Sequence, residues 1–156
     1  LEKSVIDAVG DGKRDLMVNG HPRHVISYLQ DYLFTPERVN APVKSLSGGE
    51  KNRLMLAKLM LKPSNVLVLD EPTNDLDVET LRALEEAILE FPGSVMVISH
   101  DRWFLDRVAT HIMDYRDEGN INFFEGNYSD YESWLKQEFG QDVVEPHRLK
   151  YKRMSK

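Results

Sequence analysis

Two short apolar runs dominate the hydrophobic pattern of the chain. The first extends from Val66 to Leu69 and the second from Val95 to Ser99, and a stretch with helical spacing of apolar residues separates them. Continuous apolar runs of this length are typical of parallel strands that are buried on both faces. Strand, helix and strand in this order predict a right-handed βαβ unit. The pattern therefore indicates an α/β fold with a parallel sheet at its core.

Helical and alternating periodicities predict further elements on both sides of this unit. In chain order they are a helix at 1–9, a helix at 22–33, a proline-containing connector at 35–44, a helix within 46–62, a helix at 78–90, a short helix from Asp101, a hairpin of two strands at 109–115 and 121–124 around a turn at 116–120, and a helix at 128–139. Asp77 is suited to cap the helix at 78–90, and Asn127 precedes the last helix. We expect the aromatic residues Trp103 and Phe104 to belong to the core.

The helix at 46–62 begins with features of an anion site. Ser47, followed three residues later by Glu50, has the form of a capping box. Gly48 and Gly49 occupy the first turn, where glycine is a poor helix former but allows another group to approach the backbone closely. Helix N-termini bind anions through their free N–H groups. A capped helix with two incidental glycines is an equally good interpretation of this segment.

Polar side chains follow both predicted strands. Asp70 and Glu71 end the first run before Pro72, and His100 follows the second run. The carboxyl ends of parallel strands meet at the edge where α/β sheets bind ligands. Two desolvated carboxylates there are costly unless a cation or a proton offsets them. Mg²⁺ beside a base that orients water is the arrangement that phosphoryl transfer requires. The alternative interpretation is that water solvates both acids and that His100 has a structural role.

Composition narrows the class of protein. The 156 residues suffice for about one domain, and the absence of cysteine excludes disulfides and suits a reducing compartment. No apolar run approaches the ~18 residues of a membrane span, and no signal peptide is visible. The net charge of −6 argues against a surface that binds nucleic acid throughout. A first residue that is Leu1 and not Met suggests a piece of a longer protein.

The carboxyl-terminal tail, residues 141–156, has a different character. Its last ten residues carry five basic side chains around Tyr151, namely Arg148, Lys150, Lys152, Arg153 and Lys156. Basic residues interleaved with an aromatic ring suit phosphate contact and base stacking in a nucleic acid. A solvated terminus is an equally good interpretation.

The sequence lacks the phosphate-binding P-loop pattern G-x-x-x-x-G-K-[ST]. The nearest candidate is the segment from Gly10 to Lys13. There Asp7 stands in place of the first glycine and Arg14 in place of the hydroxyl residue. The segment is therefore predicted to be a turn.

Four motifs in register resemble the ATP-binding cassette family. Residues 46–50, LSGGE, resemble its signature motif; residues 66–71, VLVLDE, its Walker B strand; residues 74–77, NDLD, its D-loop; and residues 99–101 its switch-histidine loop. The string at 71–77 further resembles the ABC-F branch, soluble ATPases that act on ribosomes. Residues 100–107 and the basic tail resemble its translational throttle type, whereas residues 27–34 resemble a different bacterial branch. In this family the P-loop and the Q-loop lie upstream of the signature. The chain thus resembles the carboxyl-terminal part of a P-loop NTPase cassette, with a helical subdomain beside the parallel sheet.

This resemblance implies a role for each motif residue. Asp70 would hold Mg²⁺, Glu71 would act as the general base, and His100 would contact the γ-phosphate. A second cassette, of the same or another chain, would hold an ATP molecule that this chain also contacts. The residues expected to bind that ATP are Ser47, Gly48, Gly49 and Glu50, with Asp77 at the seam between the two cassettes. The resemblance also divides the chain before the tail into two parts. Residues 1–45 form the segment of the helical subdomain that precedes the signature, and residues 46–140 form the nucleotide-binding part.

The expected function is ATP binding and hydrolysis within a soluble, cytoplasmic ABC-F protein that contacts ribosomal RNA and regulates translation. Without a P-loop pattern, the chain alone is expected to be inactive. One alternative is a non-catalytic module that binds ribosomal RNA or protein, which the missing P-loop pattern favours. Another is the ATPase subunit of an ABC transporter, which the basic tail and the string at 70–77 disfavour; no contact with a membrane is expected.

Overall fold

The structure is a computed structural model that describes residues 3–115 and 121–140. The chain forms two compact units, with the boundary between Phe104 and Leu105. The predicted turn at 116–120 and the basic tail at 141–156 lie outside the described residues. Within the described ranges, no helix is long and apolar enough to cross a membrane.

The first unit alternates short helices with strands. Its elements are α1 (Val5–Gly10), β1 (Asp15–Val18), β2 (His21–His24), α2 (Val25–Asp31), a 3-10 helix (Val43–Ser45), α3 (Gly48–Met60), β3 (Val66–Asp70), α4 (Val78–Leu89), β4 (Ser94–Ile98) and α5 (Arg102–Val108), which crosses the boundary. The predicted turn after α1 is confirmed, since Asp11 and Gly12 have φ angles of 48° and 84°.

Strands β3 and β4 form the predicted parallel pair, with Val66 opposite Ser94 and Asp70 opposite Ile98. The prediction that this sheet is buried on both faces is wrong. Leu67 is 8% exposed, but its neighbours Val66 and Val68 are each 58% exposed. Since successive side chains of a strand point to opposite faces, one face of the pair is covered and the other is open in the described part of the chain. A continuous apolar run does not reveal which faces are covered.

The helix predicted at 22–33 is also wrong in its first part. Strands β1 and β2 form an antiparallel hairpin in which Met17 lies opposite Pro22, and α2 begins only at Val25. The connecting residues Asn19 and Gly20 have φ angles of 52° and 82°. An Asn-Gly pair tolerates this left-handed conformation and thereby favours a two-residue hairpin turn, which overrides the helical spacing of the residues that follow.

Helices α1, α2 and α3 enclose the core of the first unit. Val5, Val25, Leu29, Val39 and Ala57 are all fully buried. The Tyr28 hydroxyl donates a 2.7 Å hydrogen bond to the Ala57 carbonyl and so joins α2 to α3. Burial, and then the hydrogen bond with the Tyr32 hydroxyl, raise the pKa of the Tyr28 phenol far above its usual range. Tyr28 is therefore a neutral structural donor.

The aromatic residues after β4 divide between core and solvent. Phe104 is fully buried as predicted, but Trp103 is 79% exposed, so its assignment to the core is wrong. Adjacent residues of a short helix face in different directions, and only Phe104 lies on the inner side of α5.

The second unit contains an antiparallel hairpin and a helix, as the sequence predicts. Its elements are β5 (His111–Tyr115), β6 (Ile121–Glu125) and α6 (Tyr128–Phe139). A capping box between Asn127 and Asp130 begins α6. The Ser129 N–H donates a 2.7 Å hydrogen bond to Asp106, which lowers the pKa of that carboxyl. This bond ties the start of α6 to α5.

Candidate functional site

The N-terminus of α3 has the predicted capping box. The Glu50 N–H donates to the Ser47 hydroxyl at 3.2 Å, and the Ser47 N–H donates to a Glu50 carboxylate oxygen at 2.8 Å. Ser47 and Gly48 are exposed, so this end of the helix is open to a ligand. The sequence signal was sufficient here because both partners lie within one helical turn.

The two glycines of this turn have different surroundings. A Cβ built on Gly49 would lie 2.1 Å from Oδ2 of Asp77, whereas a Cβ on Gly48 would meet nothing within 4 Å. Asp77 is held in place because it caps α4, accepting a 2.7 Å hydrogen bond from the Thr80 N–H, which also lowers the pKa of its carboxyl. Gly49 is therefore the position where glycine permits a close approach, and the approaching group is a side chain of this same chain.

Arg53 reinforces this contact between α3 and α4. It is 8% exposed, and its Nη1 lies 3.7 Å from Asp77, 3.6 Å from Glu79 and 3.3 Å from the Thr80 hydroxyl. Among the described residues, its buried Nε has no hydrogen-bond partner. Sequence reasoning missed Arg53, although its position four residues after Gly49 places both on one helical face.

A second ion pair holds Glu50 from the other side. Arg38, in the connector before α3, donates to both oxygens of Glu50 through Nε and Nη2, each at 2.8 Å. The Arg38 guanidinium and then the Ser47 N–H hold the pKa of Glu50 at about 2. The Glu50 carboxylate is thus already occupied by groups of its own chain. Arg38 was not singled out from the sequence, because nothing local links it to Glu50.

A separate group of side chains lies at the carboxyl ends of β3 and β4. The Glu71 N–H donates to the Ile98 carbonyl at 2.7 Å, and the backbone turns sharply at Glu71, whose φ is 45°. The His100 N–H lies 3.5 Å from one Glu71 carboxylate oxygen, and His100 Nε2 lies 3.5 Å from the other. The His100 side chain is 99% exposed and that of Glu71 27% exposed. The predicted convergence of these two residues at one sheet edge is therefore present.

The expectation of two desolvated carboxylates at this edge is wrong for Asp70. Asp70 is exposed at the end of β3, while Glu71 is partly covered. Asp70 is the last residue of β3, whereas Glu71 lies in the turn that follows the strand. Each can therefore have a different partner.

The donor set at this edge suits Mg²⁺ in one specific way. Within residues 3–115 and 121–140, no three acidic or histidine side chains gather into a metal-binding group. Mg²⁺ does not need such a group when one or two carboxylates and the phosphates of a nucleotide share its coordination with water. Exposed Asp70, beside Glu71, fits this mode of binding.

Taken together, the parallel strand pair, the capped glycine-containing helix and the acid–histidine edge define part of a nucleotide-binding cassette. The family model described as ABC transporter matches residues 13–74, which include the motif at 46–50 and the strand β3. Residues 13–74 therefore belong to the ATP-binding cassette family.

Curated relatives of the ABC-F branch match nearly the whole chain. The energy-dependent translational throttle protein EttA of Haemophilus influenzae is 56% identical over 155 residues, which are 99% of this chain and 28% of that protein. EttA of Escherichia coli K12 is 53% identical over 154 residues, again 28% of its length. The ATP-binding protein Uup of Haemophilus influenzae is 55% identical over 129 residues, which are 83% of this chain and 20% of Uup. The chain thus spans less than a third of these relatives.

Solved structures of ATP-binding cassette proteins share the fold. A chain from the complex of archaeal ribosomal stalk protein aP1 and ribosome recycling factor aABCE1 matches with a TM-score of 0.58 and 21% identity, covering 88% of this chain and 28% of that one. An RNase-L inhibitor structure matches with a TM-score of 0.56 over the same shares, also at 21% identity. At this identity the likeness supports the fold alone.

Proposed function

We propose that this chain supplies half-sites for ATP binding and hydrolysis in a soluble, cytoplasmic ABC-F protein that acts on the ribosome in translation regulation. The observation that carries the proposal is the contact of Glu71 with His100 at the carboxyl ends of β3 and β4. The motifs around these residues, and relatives named as translational throttle proteins, support the same conclusion.

Glu71 acts as the general base in this proposal. Its carboxylate is partly covered and is held at the sheet edge by the Glu71 N–H bond to Ile98 and by the nearby His100 N–H. A carboxylate fixed in this way can orient a water molecule and accept its proton as the water attacks the γ-phosphate in line. The exposed His100 ring is free to reach the same phosphate. Asp70 would hold Mg²⁺, which would supply positive charge that offsets the charge of the phosphates.

The N-terminus of α3 serves a different ATP molecule in this proposal. Ser47, Gly48 and Gly49 bind the γ-phosphate of an ATP that a second cassette holds. Glu50, bonded to the Ser47 N–H, and Asp77, which lies against Gly49, fix the shape of this segment. An open helix N-terminus with a serine hydroxyl suits such a phosphate. Because each ATP then bridges two cassettes, closure depends on ATP and hydrolysis allows reopening.

The ribosome is the proposed partner of the whole protein, through ribosomal RNA. The names of the EttA relatives support a role in translation, and the five basic residues of the tail suit contact with RNA phosphates. The absence of a P-loop pattern from this sequence favours a second candidate, a non-catalytic module that binds ribosomal RNA or protein. The two candidates differ in whether Glu71 matters for ATP turnover.

The test is Glu71→Gln in the full-length protein that carries this chain. Glutamine keeps the shape of the side chain but cannot accept a proton, so single-turnover hydrolysis should fall by about 10²- to 10⁴-fold while ATP binding persists. Glu86→Gln, at an exposed position of α4, is the matched control and should hydrolyse ATP normally. Unchanged hydrolysis in Glu71→Gln would exclude Glu71 as the base, and loss of ATP binding would assign it a structural or metal-binding role.

A further inference from the structure

The segment proposed to bind phosphate has a negative charge directly beside it. Glu50 occupies the third position of α3, and one of its oxygens accepts a 2.8 Å hydrogen bond from the N–H of Ser47, a residue of that segment. The pKa of Glu50 is about 2, so the carboxylate is ionised at every physiological pH. An ionised carboxylate at a helix N-terminus stabilises the helix, but it also repels an incoming phosphate.

Arg38 offsets this charge with unusually favourable geometry. Its guanidinium donates to both Glu50 oxygens at 2.8 Å, and paired parallel bonds of this kind fix position as well as charge. The Glu50 side chain is 17% exposed and that of Arg38 40% exposed. The pair is thus partly shielded from water, where ionic interactions are stronger than on an open surface.

The backbone around Arg38 is itself held firmly. The turn is closed by hydrogen bonds from the Arg38 and Val39 N–H groups to the Thr35 carbonyl, at 2.9 and 3.1 Å. Val39 is fully buried, and its carbonyl accepts a 2.9 Å bond from the Ile6 N–H in α1. Arg38 therefore approaches Glu50 from a fixed site on the connector, which reduces the entropy lost when the pair forms.

We propose that Arg38 is a positioning residue of the proposed ATP site: it neutralises Glu50 and holds that carboxylate against Ser47, so that the N-terminus of α3 can accept a phosphate. This inference rests on the proposed function. Arg38 does not touch the nucleotide. It acts through Glu50, which keeps the capping box formed while its charge is offset.

The test is a double-mutant cycle between Arg38 and Glu50 in the full-length protein that carries this chain. Arg38→Ala leaves Glu50 ionised and unpaired, so the KM for ATP should rise roughly 10- to 100-fold, with a smaller change in kcat. In a Glu50→Gln background there is no charge to offset, so the same Arg38→Ala change should have an effect at least several-fold smaller. Arg82→Ala, which removes a positive charge from an exposed position of α4, is the matched control and should leave KM within about twofold.

Two additional variants separate charge from folding. Circular dichroism spectra and melting temperatures establish whether each variant is folded. If Arg38→Ala unfolds the protein, Arg38→Lys and Arg38→Gln replace it: lysine keeps the charge without the paired bonds, so Arg38→Gln should raise KM more than Arg38→Lys does. Equal effects of lysine and glutamine would overturn the charge-offset role.

The outcomes distinguish this inference from the function on which it rests. A wild-type protein that neither binds nor hydrolyses ATP would refute the proposed function and the role of Arg38 together. The role of Arg38 alone would be refuted by an active wild type in which Arg38→Ala behaves like Arg82→Ala. The same conclusion would follow if Arg38→Ala raised KM equally in the wild-type and Glu50→Gln backgrounds.

Discussion

At the scale of single residues, chemically identical neighbours have different roles. Gly48 and Gly49 look equivalent in the sequence, where both appear as glycines in the first turn of a helix. In the structure only Gly49 is crowded, because Asp77 lies against its backbone. The sequence could predict that a close approach occurs here, but not which group makes it, since Asp77 belongs to a later helix. The same limit applies to Arg53 and its contacts with Asp77 and Glu79.

Substitution of these two glycines should therefore have opposite effects on stability. Gly49→Ala brings a methyl group against Asp77 and should lower the free energy of unfolding by about 1–3 kcal/mol, as overpacking does. Gly48→Ala has open space and should be neutral or stabilising by up to about 1 kcal/mol, because alanine is the better helix former. Denaturant unfolding followed by circular dichroism measures both. Equal losses for the two variants would show that the Gly49–Asp77 contact does not constrain the helix.

At the scale of elements, local signals predicted the structure well. The caps predicted at Ser47 and Asp77 are confirmed because cap and helix lie in one short segment. Asn127, predicted only to precede the last helix, caps it. The sequence prediction misses the hairpin of β1 and β2, because the helical spacing of the residues after Pro22 overlaps the local signal of its Asn19-Gly20 turn. The open face of the β3–β4 pair could not be predicted, because burial depends on what packs against a strand and not on the strand itself.

The Arg38–Glu50 ion pair, which joins the connector to α3, predicts how the stability of the protein changes with pH. The pKa of Glu50 is about 2 in the folded chain, against an ordinary value of 4.5. At pH values between these two pKa values, the unfolded chain binds more protons than the folded chain does. The free energy of unfolding therefore rises with pH in this range. The contribution of Glu50 should be complete above pH ~4.5 and should disappear as the pH falls toward ~2.

Melting temperatures of wild type and Glu50→Gln as a function of pH test this prediction. Wild type should be more stable by about 2 kcal/mol at neutral pH, since one unit of pKa shift corresponds to about 1.4 kcal/mol and partial exposure weakens the pair. The difference should narrow steadily below pH ~4.5. Glu86→Gln, at an exposed position of α4, serves as the control for the loss of one carboxylate. A difference that does not change with pH would mean that the Arg38–Glu50 pair adds nothing to stability.

At the scale of the whole molecule, the motifs in the sequence predicted the family and the element on which each candidate site residue lies. They did not predict which other side chains hold these residues in place. The order of the signature, Walker B strand, D-loop and histidine loop is a property of the chain alone. The Arg38–Glu50 and Arg53–Asp77 pairs are properties of the fold, because they join residues that are distant in sequence. The tail is outside the described residues, so its role rests on sequence alone.

The tail is predicted to bind the ribosome and not to take part in ATP chemistry. Its basic residues Arg148, Lys150, Lys152 and Arg153 follow the last described helix and are distant in sequence from Glu71 and His100. Each basic side chain that contacts a phosphate releases counterions, so it adds somewhat less than one unit to the slope of log affinity against log salt. Replacing all four with glutamine in the full-length protein should weaken ribosome binding and reduce that slope by about three units.

Sedimentation with ribosomes at several salt concentrations, with ATPase activity assayed in parallel, measures both properties. The matched control replaces four exposed basic residues of the first unit with glutamine, namely Lys13, Arg14, Lys58 and Lys62. This change removes the same charge from a different surface. If the tail makes the contacts, only the tail variant should show the weaker binding and the reduced salt slope, and both variants should keep basal ATPase activity. Equal losses in the two variants would show that net charge alone attracts the ribosome, whereas a loss of ATPase activity in the tail variant would show that the tail packs on the cassette.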